Sequence, residues 1–184
     1  MTLTKTPICN FGEKAKDFNL LSTENKKISL DEIKGENGTL IMFICNHCPY
    51  VKAIIKDIVE DINFLRNLGI KATAIMSNDV KNYPEDSFEN MISFSKMHNF
   101  SFPYLIDQTQ EVAKKYGAVC TPDFFGYNKN LELQYRGRIR ELKNLKPVGR
   151  GDSDLKIAMK LVAKSGKGPA NQIPSMGCNI KWFK

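Results

Sequence analysis

The sequence has no long apolar run and few cysteines, and each shortage excludes a class of protein. No stretch approaches the roughly 18 consecutive apolar residues of a membrane-spanning helix, so we expect no membrane partner. The first seven residues lack the apolar core of a secretory signal. Five cysteines in 184 residues are an odd number and too few for a disulfide-stapled secreted scaffold. These absences predict a cytoplasmic protein whose thiols are kept reduced.

Acidic residues are outnumbered by basic ones, which raises the question of a polyanionic partner. The formal net charge is +7, and a basic surface attracts nucleic acid without sequence specificity. The densest basic group, Arg136, Arg138 and Arg140, is no longer than an ordinary solvated strand end. Its alternate spacing predicts one shared strand face, where a small anion could bind. We therefore expect no nucleic-acid partner.

The length and the apolar content of the chain predict one α/β domain. A chain of 184 residues with 42% hydrophobic residues can bury one full core but is short for two. We expect the domain to span residues 1–184. Residues 1–30 would be an N-terminal extension with a small hairpin, and residues 166–184 would be a Gly/Pro-rich linker and tail.

Two cysteines lie where a predicted strand meets a predicted helix. The apolar segment 39–44 has the length of a buried strand, and apolar residues after the cysteines recur at helical spacings of three, four and seven. Between these segments are Cys45 and Cys48, followed by Pro49, which suits the first turn of a helix. The pattern predicts a disulfide that forms and breaks at a helix N-terminus.

A helix N-terminus should make a nearby thiol more acidic. Unpaired N–H groups and the positive end of the helix dipole stabilise an anion there, so the thiol pKa should fall below its usual value of about 8.5. We expect Cys45 to be the more exposed thiol and to attack a substrate disulfide, while Cys48 resolves the mixed disulfide. A protonated His47 between them would stabilise the thiolate and make the disulfide a better oxidant.

A zinc site and a pair of inert core thiols are the alternatives for this motif. A structural zinc site normally needs a second ligand pair at comparable spacing. Here Cys9, Cys120 and Cys178 stand singly, and the other histidine is His98. Free cysteines often pack as small hydrophobic residues, which suits Cys9 better than a pair that flanks His47. We therefore expect no metal and no cofactor.

Thr121 and Pro122 precede another predicted strand. A cis peptide bond is common only before proline, and we expect one here. It would expose the Thr121 backbone, which could pair with an extended substrate segment across from Cys45. The alternative is an ordinary trans proline at the start of a strand.

Most of the chain resembles the thioredoxin-like proteins of the alkyl hydroperoxide reductase and thiol-specific antioxidant group. The resemblance is carried by four segments, residues 12–20, 43–50, 121–125 and 177–182. It implies a thioredoxin fold, in which helices flank a central mixed sheet. It also implies that Cys45 and Cys48 are the redox pair and that Thr121 and Pro122 form the cis-proline element.

Cys48 followed by Pro49 also matches the peroxidatic cysteine of peroxiredoxins, so a thiol-dependent peroxidase stays open. Peroxiredoxins have threonine or serine where this chain has Cys45, and an arginine where it has the Thr121–Pro122 pair. Both differences favour a thiol–disulfide oxidoreductase that uses a protein or small-molecule disulfide and a thiol reductant. A non-enzymatic redox-sensing or thiol-binding module is a third interpretation. Cys178 is a candidate additional redox cysteine.

Overall fold

The computed structural model describes residues 2–149 and 151–184 and contains a seven-stranded mixed sheet with helices on both faces. The helices are α1 (Pro49–Arg66), α2 (Phe88–Met97), α3 (Glu111–Tyr116) and α4 (Asp154–Ser165). The strands are β1 (Leu3–Lys5), β2 (Asn19–Ser22), β3 (Lys27–Ser29), β4 (Gly38–Phe43), β5 (Ile70–Met76), β6 (Tyr104–Ile106), β7 (Cys120–Thr121), β8 (Asp123–Tyr127), β9 (Leu133–Tyr135), β10 (Leu142–Lys143), β11 (Lys146–Pro147) and β12 (Met176–Asn179). The main sheet has the order β3-β2-β6-β5-β4-β8-β9. Within the described ranges, no helix is both long and apolar enough for a bilayer crossing.

The centre of the sheet contains the predicted strand and helix, followed by a second strand. β4 and β5 are parallel neighbours, and α1 connects them. On its other side β4 pairs with β8 in the antiparallel direction. The apolar stripe predicted for α1 is buried in full, at Val51, Ile54, Ile55, Ile58, Ile62 and Leu65. Because β4 ends at the start of α1, the residues between them lie at the carboxyl end of the central strand.

Alternate residues of β4 are buried in two different hydrophobic cores. Leu40 and Met42 pack with apolar residues of α1, α2 and α4, while Ile41 and Phe43 pack with those of α3. Side chains alternate between the faces of a strand, so both faces of this one are covered. Burying one such side chain contributes about 1.5–3 kcal/mol. If the strand shifted by one residue, each set of side chains would face the other core. The two cores therefore fix the register of β4 and the position of its end.

The predicted N-terminal hairpin is confirmed, but it belongs to the main sheet. β2 and β3 are antiparallel, and β2 also pairs with β6. The C-terminal tail forms a strand of its own. β12 lies between β1 and β7 in a three-stranded sheet, antiparallel to both. Strands near the two ends of the chain therefore pair with each other, and the C-terminal one also pairs with β7.

The three arginines considered for a small-anion site are each paired with a carboxylate of the same chain. Each guanidinium bonds a different carboxylate, in the pairs Arg136–Asp123, Arg138–Asp154 and Arg140–Asp57. The N···O distances are 3.0, 2.6 and 3.1 Å respectively. These arginines therefore tie strand, helix and loop segments together.

Candidate active site

The dithiol lies at the strand–helix junction that the sequence predicts. Cys45 follows β4 closely, and Cys48 is the N-cap residue of α1, with extended backbone angles of −65° and 121°. Pro49 is the first residue of the helix and has no N–H to satisfy. The Val51 backbone N–H is directed at the Cys48 thiol. The helix N-terminus thus faces Cys48.

Both thiols are buried, with 1% of Cys45 and none of Cys48 exposed. Neither thiol is accessible, so these exposures do not distinguish Cys45 as the more exposed one. Thr121 covers both of them. Its hydroxyl oxygen is 3.4 Å from Cys45 Sγ, and its carbonyl oxygen is 3.1 Å from Cys48 Sγ. The structure therefore brings Cys45, Cys48 and Thr121 together, as expected.

The Thr121–Pro122 peptide bond is cis, which confirms that prediction. The Thr121 backbone, however, is not open to a substrate. Thr121 is 2% exposed and pairs with Cys178 of β12 in the antiparallel register. The expectation of an exposed backbone is wrong here, because the tail of the same chain occupies that edge.

Cys178 is the third thiol at the site. Its Sγ is 3.1 Å from Cys48 Sγ, and only 4% of the residue is exposed. The remaining cysteines have other neighbours. The Cys120 thiol donates to the Pro122 carbonyl oxygen at 3.6 Å, and the thiol of Cys9 is hydrogen-bonded to Gln172. Cys48 therefore contacts two other thiols, those of Cys45 and Cys178.

The two thiols of the motif differ in acidity, in the direction opposite to the prediction. The hydrogen bond with Cys48, burial and the negative charge of Asp86 raise the pKa of Cys45 well above its usual value. The hydrogen bond from Cys45 lowers the pKa of Cys48 to about 5 despite burial, with help from Cys178 and the Val51 N–H. The Thr121 carbonyl opposes ionisation of Cys48, but these several donors prevail. Within the pair, a negative charge is therefore favoured on Cys48 rather than on Cys45.

His47 is held beside Cys45 by a buried carboxylate. Its Nδ1 is 2.7 Å from Asp86 Oδ2 and 3.9 Å from Cys45 Sγ. The hydrogen bond to Asp86 raises the pKa of His47 against the effect of burial. Asp86 also accepts from the backbone N–H groups of Asn46 and His47 and from Asn78 Nδ2, at 2.8, 3.3 and 2.8 Å. The raised pKa of His47 favours the imidazolium form, which can stabilise a thiolate on Cys45.

Sequence reasoning missed Asp86. The segment from Pro84 to Asp86 is typical of a helix start, and the structure forms a single 3-10 turn there. That interpretation left no reason to assign the carboxylate to the dithiol. The contact arises only when the loop after β5 folds back over residues 45–48, and no local spacing signals it. Tyr104, whose hydroxyl donates to Asn46 Oδ1 at 2.9 Å, was missed for the same reason.

Cys45, His47 and Asp86 also have the donor types of a metal site. One ligand atom from each lies within 4.8 Å of the others, and zinc accepts sulfur, nitrogen and oxygen ligands. Both Asp86 oxygens, however, already accept hydrogen bonds, and one of them is bonded to His47 Nδ1. The donor set therefore fits a hydrogen-bond network that orients the dithiol loop better than it fits a cation.

Comparison with solved structures identifies two close relatives. An uncharacterized conserved protein from Geobacillus kaustophilus is 37% identical, with 100% of this chain and 97% of that chain covered at a TM-score of 0.93. A hypothetical protein from Sinorhizobium meliloti 1021 is 36% identical, with 98% of each chain covered and a TM-score of 0.90. Comparison with curated protein sequences gives no match.

A more distant structure confirms the predicted thioredoxin fold. The thioredoxin domain of a thiol-disulfide oxidoreductase from Bacteroides vulgatus is 13% identical, with 73% of this chain and 89% of that chain covered at a TM-score of 0.59. The model of the AhpC/TSA family matches residues 11–142, a segment that includes the dithiol and the cis-proline but ends before Cys178. Since that match spans more than half of the sequence, the chain belongs to the AhpC/TSA family.

Proposed function

We propose that the protein is a thiol–disulfide oxidoreductase in which Cys45 and Cys48 alternate between two thiols and one disulfide. Its substrates would be a protein or small-molecule disulfide and a thiol reductant. The observation that carries the proposal is the position of both thiols against Thr121, with a helix N-terminus directed at Cys48. The likeness of the fold to the thioredoxin domain of an oxidoreductase supports the same class of reaction.

The difference in acidity between Cys45 and Cys48 supports one order of steps. The Cys48 thiolate attacks the substrate disulfide, forms a mixed disulfide and releases one substrate sulfur as a thiolate. Cys45 then loses its proton to the released thiolate and attacks Cys48 Sγ, and the second substrate sulfur leaves. The protonated His47 beside Cys45 stabilises the negative charge that develops on Cys45 in this step. Two reductant thiol groups reverse the sequence: the first forms a mixed disulfide with one cysteine, the second releases that cysteine, and the reductant leaves as a disulfide.

A thiol-dependent peroxidase is the second candidate, and the low pKa of Cys48 is the observation that favours it. In that reaction the Cys48 thiolate would attack a peroxide oxygen and become a sulfenic acid, which a second thiol would convert to a disulfide. Against it, Cys45 replaces the expected threonine or serine, and Arg136 is bonded to Asp123. We therefore place disulfide exchange first.

Turnover of two substrates separates these candidates. Reduction of insulin disulfides and consumption of hydrogen peroxide are measured with the wild type, Cys45→Ser and Cys48→Ser, with Cys9→Ser as the control. We expect the wild type and the control to reduce insulin, and each of the other variants to lose at least about 100-fold of that rate, on the scale of lost nucleophilic catalysis. Peroxide consumption that survives in Cys45→Ser, with no insulin reduction by the wild type, would establish the peroxidase instead.

Thiol titration tests the third interpretation, a non-enzymatic redox sensor or thiol-binding module. If Cys48 reacts with iodoacetamide at neutral pH no faster than an unperturbed thiol, the protein lacks the activated nucleophile that catalysis needs. The cytoplasmic location and the absence of nucleic-acid and membrane partners stay predictions from composition.

A further inference from the structure

We propose that Cys178 is a second redox partner of Cys48, so that the oxidised protein can hold either a Cys45–Cys48 or a Cys48–Cys178 disulfide. The inference rests on the proposed function, because it uses the same attacking thiolate. It adds a third thiol from a segment that lies beyond the region matched to the family.

The position of Cys178 is fixed by backbone pairing on both sides. In β12 it is paired with Leu3 of β1 and with Thr121 of β7. Its Sγ lies 3.1 Å from Cys48 Sγ, so a disulfide, with a bond of about 2.05 Å, requires a shift of about 1 Å. The Cys178 thiol on β12 is thus held against the thiol at the start of α1 before any oxidant arrives.

β12 occupies the edge where an extended substrate segment would pair with Thr121. Gly177 permits this close approach, because an added Cβ would lie only 2.0 Å from the Thr121 carbonyl oxygen. The tail therefore presents Cys178 to Cys48 much as a bound peptide would present its own cysteine. The protein carries an internal counterpart of its disulfide substrate.

The exchange balances without a further reagent. Cys48 thiolate attacks an external disulfide, and one external sulfur leaves as a thiolate. Cys178 gives its proton to that thiolate and attacks Cys48 Sγ, which releases the second external sulfur. Two electrons have then passed from Cys48 and Cys178 to the external disulfide. Attack by Cys45 on Cys48 Sγ would convert the product to the Cys45–Cys48 disulfide with no net oxidation.

The acidity of Cys178 supports its attack on Cys48 after the mixed disulfide has formed. Burial, and then the hydrogen bond and negative charge of Cys48, raise the pKa of Cys178 to about 12. The last two effects disappear once Cys48 is covalently bound in a mixed disulfide, whereas the positive charge of Lys181 nearby remains. Cys178 therefore becomes easier to ionise at the step that needs its thiolate.

Peptide mapping of Cys45→Ser tests the proposal. The full-length variant is oxidised with oxidised glutathione, remaining thiols are alkylated, and the protein is digested with trypsin without reduction. Trypsin places Cys48 in residues 35–52, Cys178 in residues 168–181 and Cys120 in residues 116–129. We expect a disulfide between residues 35–52 and 168–181 as the main oxidised product.

Two double variants provide the controls. Cys45→Ser/Cys120→Ser should give the same linked peptides, whereas Cys45→Ser/Cys178→Ser should accumulate glutathione on Cys48. Folding of each variant is checked by circular dichroism. If folded Cys45→Ser yields only glutathionylated or unmodified Cys48, the proposal for Cys178 is wrong. Insulin reduction by the wild type through a disulfide within residues 35–52 would then still stand, so the two proposals can fail separately.

Discussion

At the scale of single residues, Asp86 organises the polar side of the redox site. It is fully buried, and its two oxygens accept hydrogen bonds from the backbone of residues 46 and 47 and from the side chains of His47 and Asn78. Burial works to raise the pKa of Asp86, but these bonds outweigh it and hold the pKa below its usual range. The carboxylate therefore favours its charged form, raises the pKa of His47 and opposes ionisation of Cys45.

Substitution Asp86→Asn should lower the pKa of His47. The hydrogen bond to a charged oxygen is the main reason for the raised value, so its loss should bring His47 to or below its usual 6.5. Proton NMR titration measures this directly, because the chain has only two histidines. The other, His98, is the internal control, since burial alone lowers its pKa. Wild-type His47 should titrate above His98, and a pKa for His47 that is unchanged in Asp86→Asn would contradict the assigned ion pair.

At the scale of secondary structure elements, the sequence predicts local units well and long-range contacts poorly. The dithiol position follows from an apolar strand, a helical stripe and Pro49, all within one short segment. The contact of Asp86 with His47 and the pairing of Cys178 with Thr121 join distant segments and have no local signature. The Gly/Pro-rich stretch before β12 indicates a linker in the sequence, yet the strand that follows is held on both edges.

Gly177→Ala tests how β12 is held at the site. The added Cβ meets the Thr121 backbone, which cannot move like a flexible side chain, so β12 must shift. We expect Cys178 to react with iodoacetamide at least about 10-fold faster because the buried thiol becomes accessible. Overpacking should also reduce the free energy of unfolding by about 1–3 kcal/mol. Alkylation is followed by mass in residues 168–181, and the exposed Asn171→Ala in the same tail is the control.

Unchanged alkylation of Cys178 in Gly177→Ala would show that the strand tolerates the methyl group. The close fit to Thr121 would then not be what positions the third thiol. A rise in alkylation that also occurs in Asn171→Ala would trace the effect to general loosening of the tail.

At the scale of the whole molecule, a buried acid makes folding stability depend on pH. Asp61 on α1 is 4% exposed, and it accepts a hydrogen bond from Ser153, the N-cap residue of α4. Burial raises the pKa of Asp61 from its usual 3.8 to about 6. The folded state therefore binds more protons than the unfolded state between these two values. By linkage, the stability contributed by protonated Asp61 is present below about pH 4 and is lost as the pH rises through about 6.

Asp61→Asn should remove this loss, because the amide stays neutral at every pH. Each pKa unit corresponds to about 1.4 kcal/mol. Between pH 4 and pH 7, the free energy of unfolding of the variant should therefore rise by about 1–3 kcal/mol relative to that of the wild type. Urea unfolding at pH 4, 5, 6 and 7 measures the difference. Asp31→Asn is the control, because the Asp31 side chain is exposed. Its plot of unfolding free energy against pH should run parallel to that of the wild type. If the curve of Asp61→Asn is parallel as well, Asp61 is ionised throughout this range, and the contact between α1 and α4 is made by a charged carboxylate.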